Sequence, residues 1–191
     1  MISSVCVFCG SRNGLDPAYR KGVEELARAL AKAGLTFVYG GGDIGLMGAG
    51  ADAAVAAGGI ARGIIPDRLL EREVGHRGIS ELVVTRDMFD RKARMIAESD
   101  AFVIMPGGLG TLDELFEVLT LRQLGYHDKP IVVVDLHGYW QPLLAAMEQV
   151  VEHGFADASI RELYCTVGSV EEALARLRDG PAASAGRLPD A

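Results

Sequence analysis

Apolar and polar positions follow two rhythms along this chain. Five runs are almost wholly apolar and of strand length: Ser4–Cys9, Leu35–Tyr39, Ile60–Ile65, Ala101–Met105 and Pro130–Val134. Runs of this kind read as strands buried on both faces. Glu81–Thr85 and Tyr164–Val167 read as shorter strands. Between them the apolar spacing becomes helical. Pro17–Ala33 places Tyr19, Val23, Leu26 and Leu30 on one face and stops at Gly34. Leu46–Ala57 is a helix of small residues, which implies close packing on the sheet. Asp87–Ser99, a segment from Leu112 to about Leu124, Tyr139–His153 and Ser169–Arg178 complete the helices. Ser169-x-x-Glu172 fits a capping box at the start of the last one. Asp67–Ser80, after Pro66, is charged and lacks a period, so it reads as a loop.

Strands alternating with helices predict an α/β fold, a parallel sheet covered on both faces. Ligands bind such sheets outside the carboxyl ends of the strands, near the point where strand order reverses. Three glycine-containing loops leave predicted strands at that edge, beginning at Gly10, Gly40 and Pro106. They can build one pocket. A chain of 191 residues suits one such domain, here 1–179, and the Pro/Ala/Ser/Gly-rich 180–191 reads as a flexible tail.

Composition narrows the partners. A net charge of −7 argues against nucleic acid. No apolar run reaches membrane-span length, and no basic residues precede Val5–Phe8 as a signal peptide would require. Three cysteines, with Cys6 and Cys9 in a predicted strand, fit a reducing cytoplasm.

The run Pro106-Gly107-Gly108-Leu109-Gly110-Thr111-Leu112-Asp113-Glu114 carries the most chemistry. It joins a buried strand to a helix, where free N–H groups and the helix dipole favour phosphate. A carboxylate one turn further on would repel phosphate, so it suggests chemistry on something the phosphate anchors. The alternative is structural, because Thr111-x-x-Glu114 also spells a capping box. Glu117 shares a helix face with Glu114. Arg91-Lys92 could supply the positive partner, although Asp87 and Arg91 are spaced as a solvated i,i+4 pair. Gly40-x-Gly42-x-x-Gly45 matches the dinucleotide fingerprint but follows the second strand, with only Asp67 near the expected acidic position. Neither loop ends as a P-loop does. Cys6 and Cys9 lie in a strand rather than at a helix start, so core packing explains them better than redox chemistry. His76, His127, His137 and His153 show no metal spacing.

Together these residues resemble the LOG ("lonely guy") family of cytokinin riboside 5′-monophosphate phosphoribohydrolases, formerly labelled putative lysine decarboxylases. The resemblance rests on Pro106–Glu114, on Arg91-Lys92 in the preceding helix, on the run from Gly40 through Gly45 to Gly48, and on Cys9-Gly10-Ser11. It covers residues 2 to 178. It implies a Rossmann-like, doubly wound sheet, a homodimer, and hydrolysis of the N-glycosidic bond of a purine nucleoside 5′-monophosphate. By position, Arg91 and Glu114 would be catalytic. Glu73, Lys92, Gly108, Leu109, Gly110, Thr111 and Thr120 would bind substrate, with Ser11, Gly42, Gly45, Gly107 and Glu117 from the same loops and helix. A dimer burying the Asp87–Ser99 and Thr111–Leu124 helices would let the partner complete the site. No metal or organic cofactor is called for, and no lysine pattern suggests a pyridoxal phosphate Schiff base. Phe89 stands where many members have His, which opens the question of the base pocket, for which Met88, Phe89 and Met95 are candidates. The competing readings are an AMP nucleosidase of nucleotide salvage, a non-catalytic molybdenum-cofactor carrier, and a dinucleotide-dependent oxidoreductase.

Overall fold

A computed structural model describes residues 2–70 and 75–179. Seven strands form one parallel sheet in the order β4-β3-β2-β1-β5-β6-β7. They are β1 (Ser4–Phe8), β2 (Thr36–Tyr39), β3 (Ala61–Pro66), β4 (Glu81–Thr85), β5 (Ala101–Ile104), β6 (Ile131–Val134) and β7 (Cys165–Val167). The helices are α1 (Pro17–Lys32), α2 (Gly45–Ala56), α3 (Asp67–Leu70), α4 (Met88–Ala97), α5 (Leu109–Gln123), α6 (Gln141–Glu152) and α7 (Val170–Asp179). This is the doubly wound, Rossmann-like architecture.

The period of two along each strand divides the core. Val5, Val7 and Cys9 face the layer of α1, α2 and α7. Cys6 and Phe8 face the layer of α4, α5 and α6, where Phe8 stacks on Phe102. Each large apolar side chain buried this way contributes about 1.5–3 kcal/mol. The sheet therefore supplies the stability, and the loops at its edge are left to carry a site. Local signals set the helix ends. Asp16 accepts a hydrogen bond from the Ala18 N–H at 2.8 Å, and Pro17 starts α1 with its φ already fixed. Asp100 fastens β1 to β5, its carboxylate accepting from the Ser3 hydroxyl at 2.7 Å and from the Ser3 and Ser4 N–H groups at 2.8 and 3.1 Å.

Strand order reverses between β1 and β5, which pair with Val5 opposite Ala101. The loops after β1 and β5 meet there, and the Gly10 N–H donates to the Pro106 carbonyl at 3.1 Å.

Three expectations are corrected. The 67–80 segment is not wholly a loop. Asp67–Leu70 is a helical turn, Gly75 bridges Gly42 in antiparallel fashion, and His76 is buried. Pro66 is the last residue of β3 rather than the residue that closes it, and it pairs with Thr85. Helix α5 begins at Leu109, not Leu112, with Gly108 as its N-cap and no side chain capping it. Thr111 is therefore inside the first turn, not at the N-cap position where a Thr111–Glu114 capping box would begin. The capping role at Ser169 does form: its hydroxyl accepts from the Glu172 N–H at 3.2 Å, while the Glu172 carboxylate accepts from the Gly168 N–H at 2.9 Å. The expected tail at 180–191 lies outside the described residues.

Candidate active site

Arg91 is the least surface-like residue of the site. It is only 5% exposed, on the first turn of α4. Its Nε donates to the Ile64 carbonyl of β3 at 3.0 Å and its Nη2 to the Gly40 carbonyl beyond β2 at 2.8 Å. Nη1 lies 3.8 Å from the Met88 sulfur. The solvated pair with Asp87 is thus replaced by a buried anchor, and the Asp87 carboxylate instead caps α4 through the Asp90 N–H at 2.8 Å. Carbonyls hold a guanidinium without cancelling its charge. Gly40 admits it: a Cβ there would lie 2.0 Å from Nη2.

Arg91 and Glu114 line the same cavity, of about 130 Å³, with Cys9, Gly10, Ser11, Met47 and the α5 start from Gly108 to Thr111. Glu114 sits on the second turn of α5 and is half-buried. Its charge reaches the end of β1: burial first, and then the Glu114 carboxylate, pushes the Cys9 thiol far up. Burial and Glu114 also raise the Cys6 thiol, against lowering by Ser99 and Arg91. Both thiols are inert core groups at neutral pH.

The floor of the cavity is a helix N-terminus. The first N–H groups of a helix lack intrahelical partners, and the N-cap residue here, Gly108, has no side chain to cap them. Among the described residues, nothing beyond the chain neighbours and the helix's own backbone lies within 4 Å of a Cβ built at Gly108 or Gly110, and neither has a positive φ. The fold itself does not require glycine at either position. Thr111, 3% exposed, points inward.

A larger cleft of about 460 Å³ adjoins, sharing Gly10, Ser11, Gly108 and Leu109 and adding Gly107, Tyr19 and Tyr139. The two tyrosine rings meet edge to face at 5.3 Å, and the Tyr139 hydroxyl donates to the Gly107 carbonyl at 2.5 Å. Met47, Tyr19 and Tyr139 were not singled out as site residues from the sequence, where Tyr19 was read only as part of the apolar face of α1. The position of Tyr139, just beyond β6 at the ligand-binding edge, was the signal that could have found it.

Other candidates lie elsewhere. Gly45 packs against the loop after β1, where a Cβ would meet Ser11 backbone at 2.3 Å, and the Leu46 N–H donates to the Gly10 carbonyl at 3.0 Å. Gly42 pairs with Gly75. Neither lines the two cavities just described. Lys92 bridges α4 to α5, 3.0 Å from both the Asp113 and Glu117 carboxylates. Burial lowers the Lys92 ammonium, but its bonds to those two acids outweigh this and hold it above its ordinary value. Thr120 is exposed further along α5, and Glu73 lies outside the described residues. Met95 is core, whereas Phe89 is 79% exposed. Among the described residues no group of three or more His, Cys, Asp or Glu could hold a metal ion, and no helix is long and apolar enough to cross a membrane.

A Rossmann-like α/β protein, with an uncapped helix start beside a buried arginine and a carboxylate, is the class that fold and site define. The chain belongs to the family described as "Possible lysine decarboxylase", whose model matches residues 47–177. A cytokinin riboside 5′-monophosphate phosphoribohydrolase of Arabidopsis thaliana is 41% identical over 175 residues, 92% of this chain and 82% of the relative. A probable enzyme of the same name from Oryza sativa subsp. japonica is 41% identical over 174 residues, 91% and 82% of the two chains. Among solved structures, the molybdenum cofactor binding protein of Rippkaea orientalis superposes with a TM-score of 0.72 over 94% of this chain and 97% of that one, at 20% identity. At that identity the likeness shows the fold alone.

Proposed function

We propose that this protein is a phosphoribohydrolase that cleaves the N-glycosidic bond of purine nucleoside 5′-monophosphates, N6-modified adenine of the cytokinin type included, to give free base and ribose 5-phosphate. One observation carries the reading. Arg91 and Glu114 line a cavity floored by an uncapped helix start whose two glycines no protein atom requires. What excludes a Cβ at such positions is a ligand that approaches the backbone, and the dipole at a helix start selects an anion.

The 5′-phosphate rests on the N–H groups of Leu109, Gly110 and Thr111. This places the ribose over Glu114, one turn in. Breaking the glycosidic bond builds positive, oxocarbenium-like charge on the sugar. A carboxylate beside it stabilises that state more than the neutral ground state, which is the condition for catalysis. Glu114 also orients the attacking water and takes its proton as the C1′–O bond forms and the C1′–N bond breaks; the departing base keeps that bond's electron pair and is protonated on nitrogen by solvent water, and Glu114 then returns its proton to solvent. Arg91, fixed by two backbone carbonyls, presents its charge to a substrate oxygen and to the Glu114 side of the cavity. The names of the relatives at about 40% identity support the same substrate class.

We further propose a cytoplasmic homodimer. All three cysteines are free, as a reducing compartment favours. Exposed apolar side chains gather on α4 and α5: Met88, Phe89, Leu109, Phe116 and Leu124. A second copy covering this face would border the cavity and help shape its base pocket. The test of the substrate reading is phosphate dependence. The protein should cleave adenosine 5′-monophosphate or its N6-isopentenyl analogue while leaving the corresponding nucleoside nearly untouched. Equal rates on nucleoside and nucleotide would remove the phosphate from the account.

A further inference from the structure

Arg91 is held on its inner side by the Gly40 carbonyl, so the turn that carries Gly40 must itself be held. Its outer side is held by His76. The His76 N–H donates to the Gly41 carbonyl at 3.0 Å, and the neighbouring Gly75 bridges Gly42. His76 is 6% exposed, and its ring is fixed at both nitrogens. Nδ1 accepts from the Gly78 N–H at 3.2 Å. Nε2 lies 3.0 Å from an Asp52 carboxylate oxygen on α2 and 3.4 Å from one of Asp43. Because Nδ1 is an acceptor, the proton sits on Nε2 and is donated to Asp52. The ring therefore ties the segment after α3 to α2, and its backbone clamps the glycine turn between them.

We infer that His76 is a positioning residue for Arg91, acting through the Gly40–Gly42 turn. The connection is short: Asp52 and Asp43 hold the ring, the His76 N–H holds Gly41, and the adjacent Gly40 carbonyl holds the Arg91 Nη2. Gly41 also packs on Ile64 and Ile65, against the strand that supplies the second carbonyl to Arg91. A glycine turn has little stiffness of its own, so without the clamp the Gly40 carbonyl drifts and the guanidinium loses its register over the cavity. Misplacement of a catalytic group by about 1 Å can cost about a hundredfold in rate. His76 lines neither cavity with the site residues. Its loss should act on kcat rather than on KM.

This inference rests on the proposed hydrolase, so its test carries a readout that does not need turnover. His76→Leu, His76→Gln and Asp52→Ala are prepared in the full chain. Gln keeps a donor at the reach of Nε2, and Asp52 is exposed enough that its removal spares folding. Hydrogen exchange of the Arg91 Nε–H is followed by 15N NMR, with its signal assigned by its loss in Arg91→Lys. Steady-state hydrolysis of adenosine 5′-monophosphate is measured alongside. The expected result for His76→Leu is Nε–H exchange at least tenfold faster, with kcat down about tenfold to a hundredfold and KM within about threefold. His76→Gln should recover most of both, and Asp52→Ala should move both partway. Wild-type exchange in both His76→Leu and Asp52→Ala would overturn the inference, as would equal damage in the Leu and Gln variants. Should His76→Leu fail to fold, Asp52→Ala against wild type decides. Failure of the wild type to release base would count against the hydrolase, while the exchange rates still judge His76.

Discussion

Gly110→Ala should stabilise this protein and weaken its substrate binding at once. Gly110 is the second residue of α5, and a Cβ there meets nothing among the described residues within 4 Å beyond its chain neighbours and its own helix backbone. The change carries no steric cost within the chain, and replacing a helical glycine by alanine gains about 0.5–1 kcal/mol. For a chain of this size each kcal/mol moves the melting temperature by about 2–4 °C, so the ligand-free protein should melt about 1–4 °C higher. Helical Cβ atoms tilt toward the N-terminus, which here is toward the proposed phosphate position. If phosphate binds there as proposed, the methyl group holds it off its N–H donors. A charge-assisted hydrogen bond is worth about 1.5–3 kcal/mol, and about 1.4 kcal/mol is a factor of ten. KM for the nucleotide should rise about tenfold to a hundredfold. Differential scanning fluorimetry without ligand and initial rates over a range of nucleotide concentrations measure the two effects. A higher melting temperature with unchanged KM would refute phosphate binding at α5. A lower melting temperature would refute the claim that the fold does not need this glycine.

Gly40→Ala should do the reverse, since its Cβ would displace Arg91 Nη2: the melting temperature falls by several degrees and kcat by about a hundredfold or more, with circular dichroism still showing an α/β fold. Phe89→Asp should turn the proposed dimer into a monomer in sedimentation velocity, because Phe89 is exposed on α4 within the proposed interface; a dimer that survives it would place the interface elsewhere. Asp100 supplies a pH dependence. Bonds from the Ser3 hydroxyl and N–H, followed by those of Ser4, outweigh burial and hold its carboxyl below the ordinary 3.8. A carboxylate with a depressed folded-state pKa stabilises above its unfolded value and loses that contribution as pH falls through the folded one. The melting-temperature gap between wild type and Asp100→Asn should therefore be full at pH 6 and shrink below about pH 4, and a gap that widens on acidification would contradict the geometry.

The five inner strands were legible because they are apolar on both faces, and the helices because their apolar residues recur at helical spacing. The start of α5 was not. Leu109 is 86% exposed, so it adds nothing to an apolar stripe, and glycines on either side of it read as loop. The burial of Arg91 was hidden for a different reason. The cause sits 51 residues away, at Gly40, and the spacing from Asp87 imitates a surface pair. The cluster around His76 was equally silent, because a bridge between two glycines, Gly42 and Gly75, leaves no periodic mark. The glycines of Pro106–Gly110 were legible as a group, but their roles were not. Gly107 meets Thr111 across a distance that leaves no room for a Cβ, while Gly108 and Gly110 face open space. Spacing cannot tell a glycine needed by the fold from one needed by a ligand.

The most direct test of the central claim is product analysis. Wild-type protein and Glu114→Ala are incubated with adenosine 5′-monophosphate and with its N6-isopentenyl analogue, and the products are separated and identified by mass. The account expects free base and ribose 5-phosphate in equal amounts from the wild type, at a rate about a hundredfold to ten-thousandfold lower in Glu114→Ala. No base released from either nucleotide, or full activity in Glu114→Ala, would contradict it.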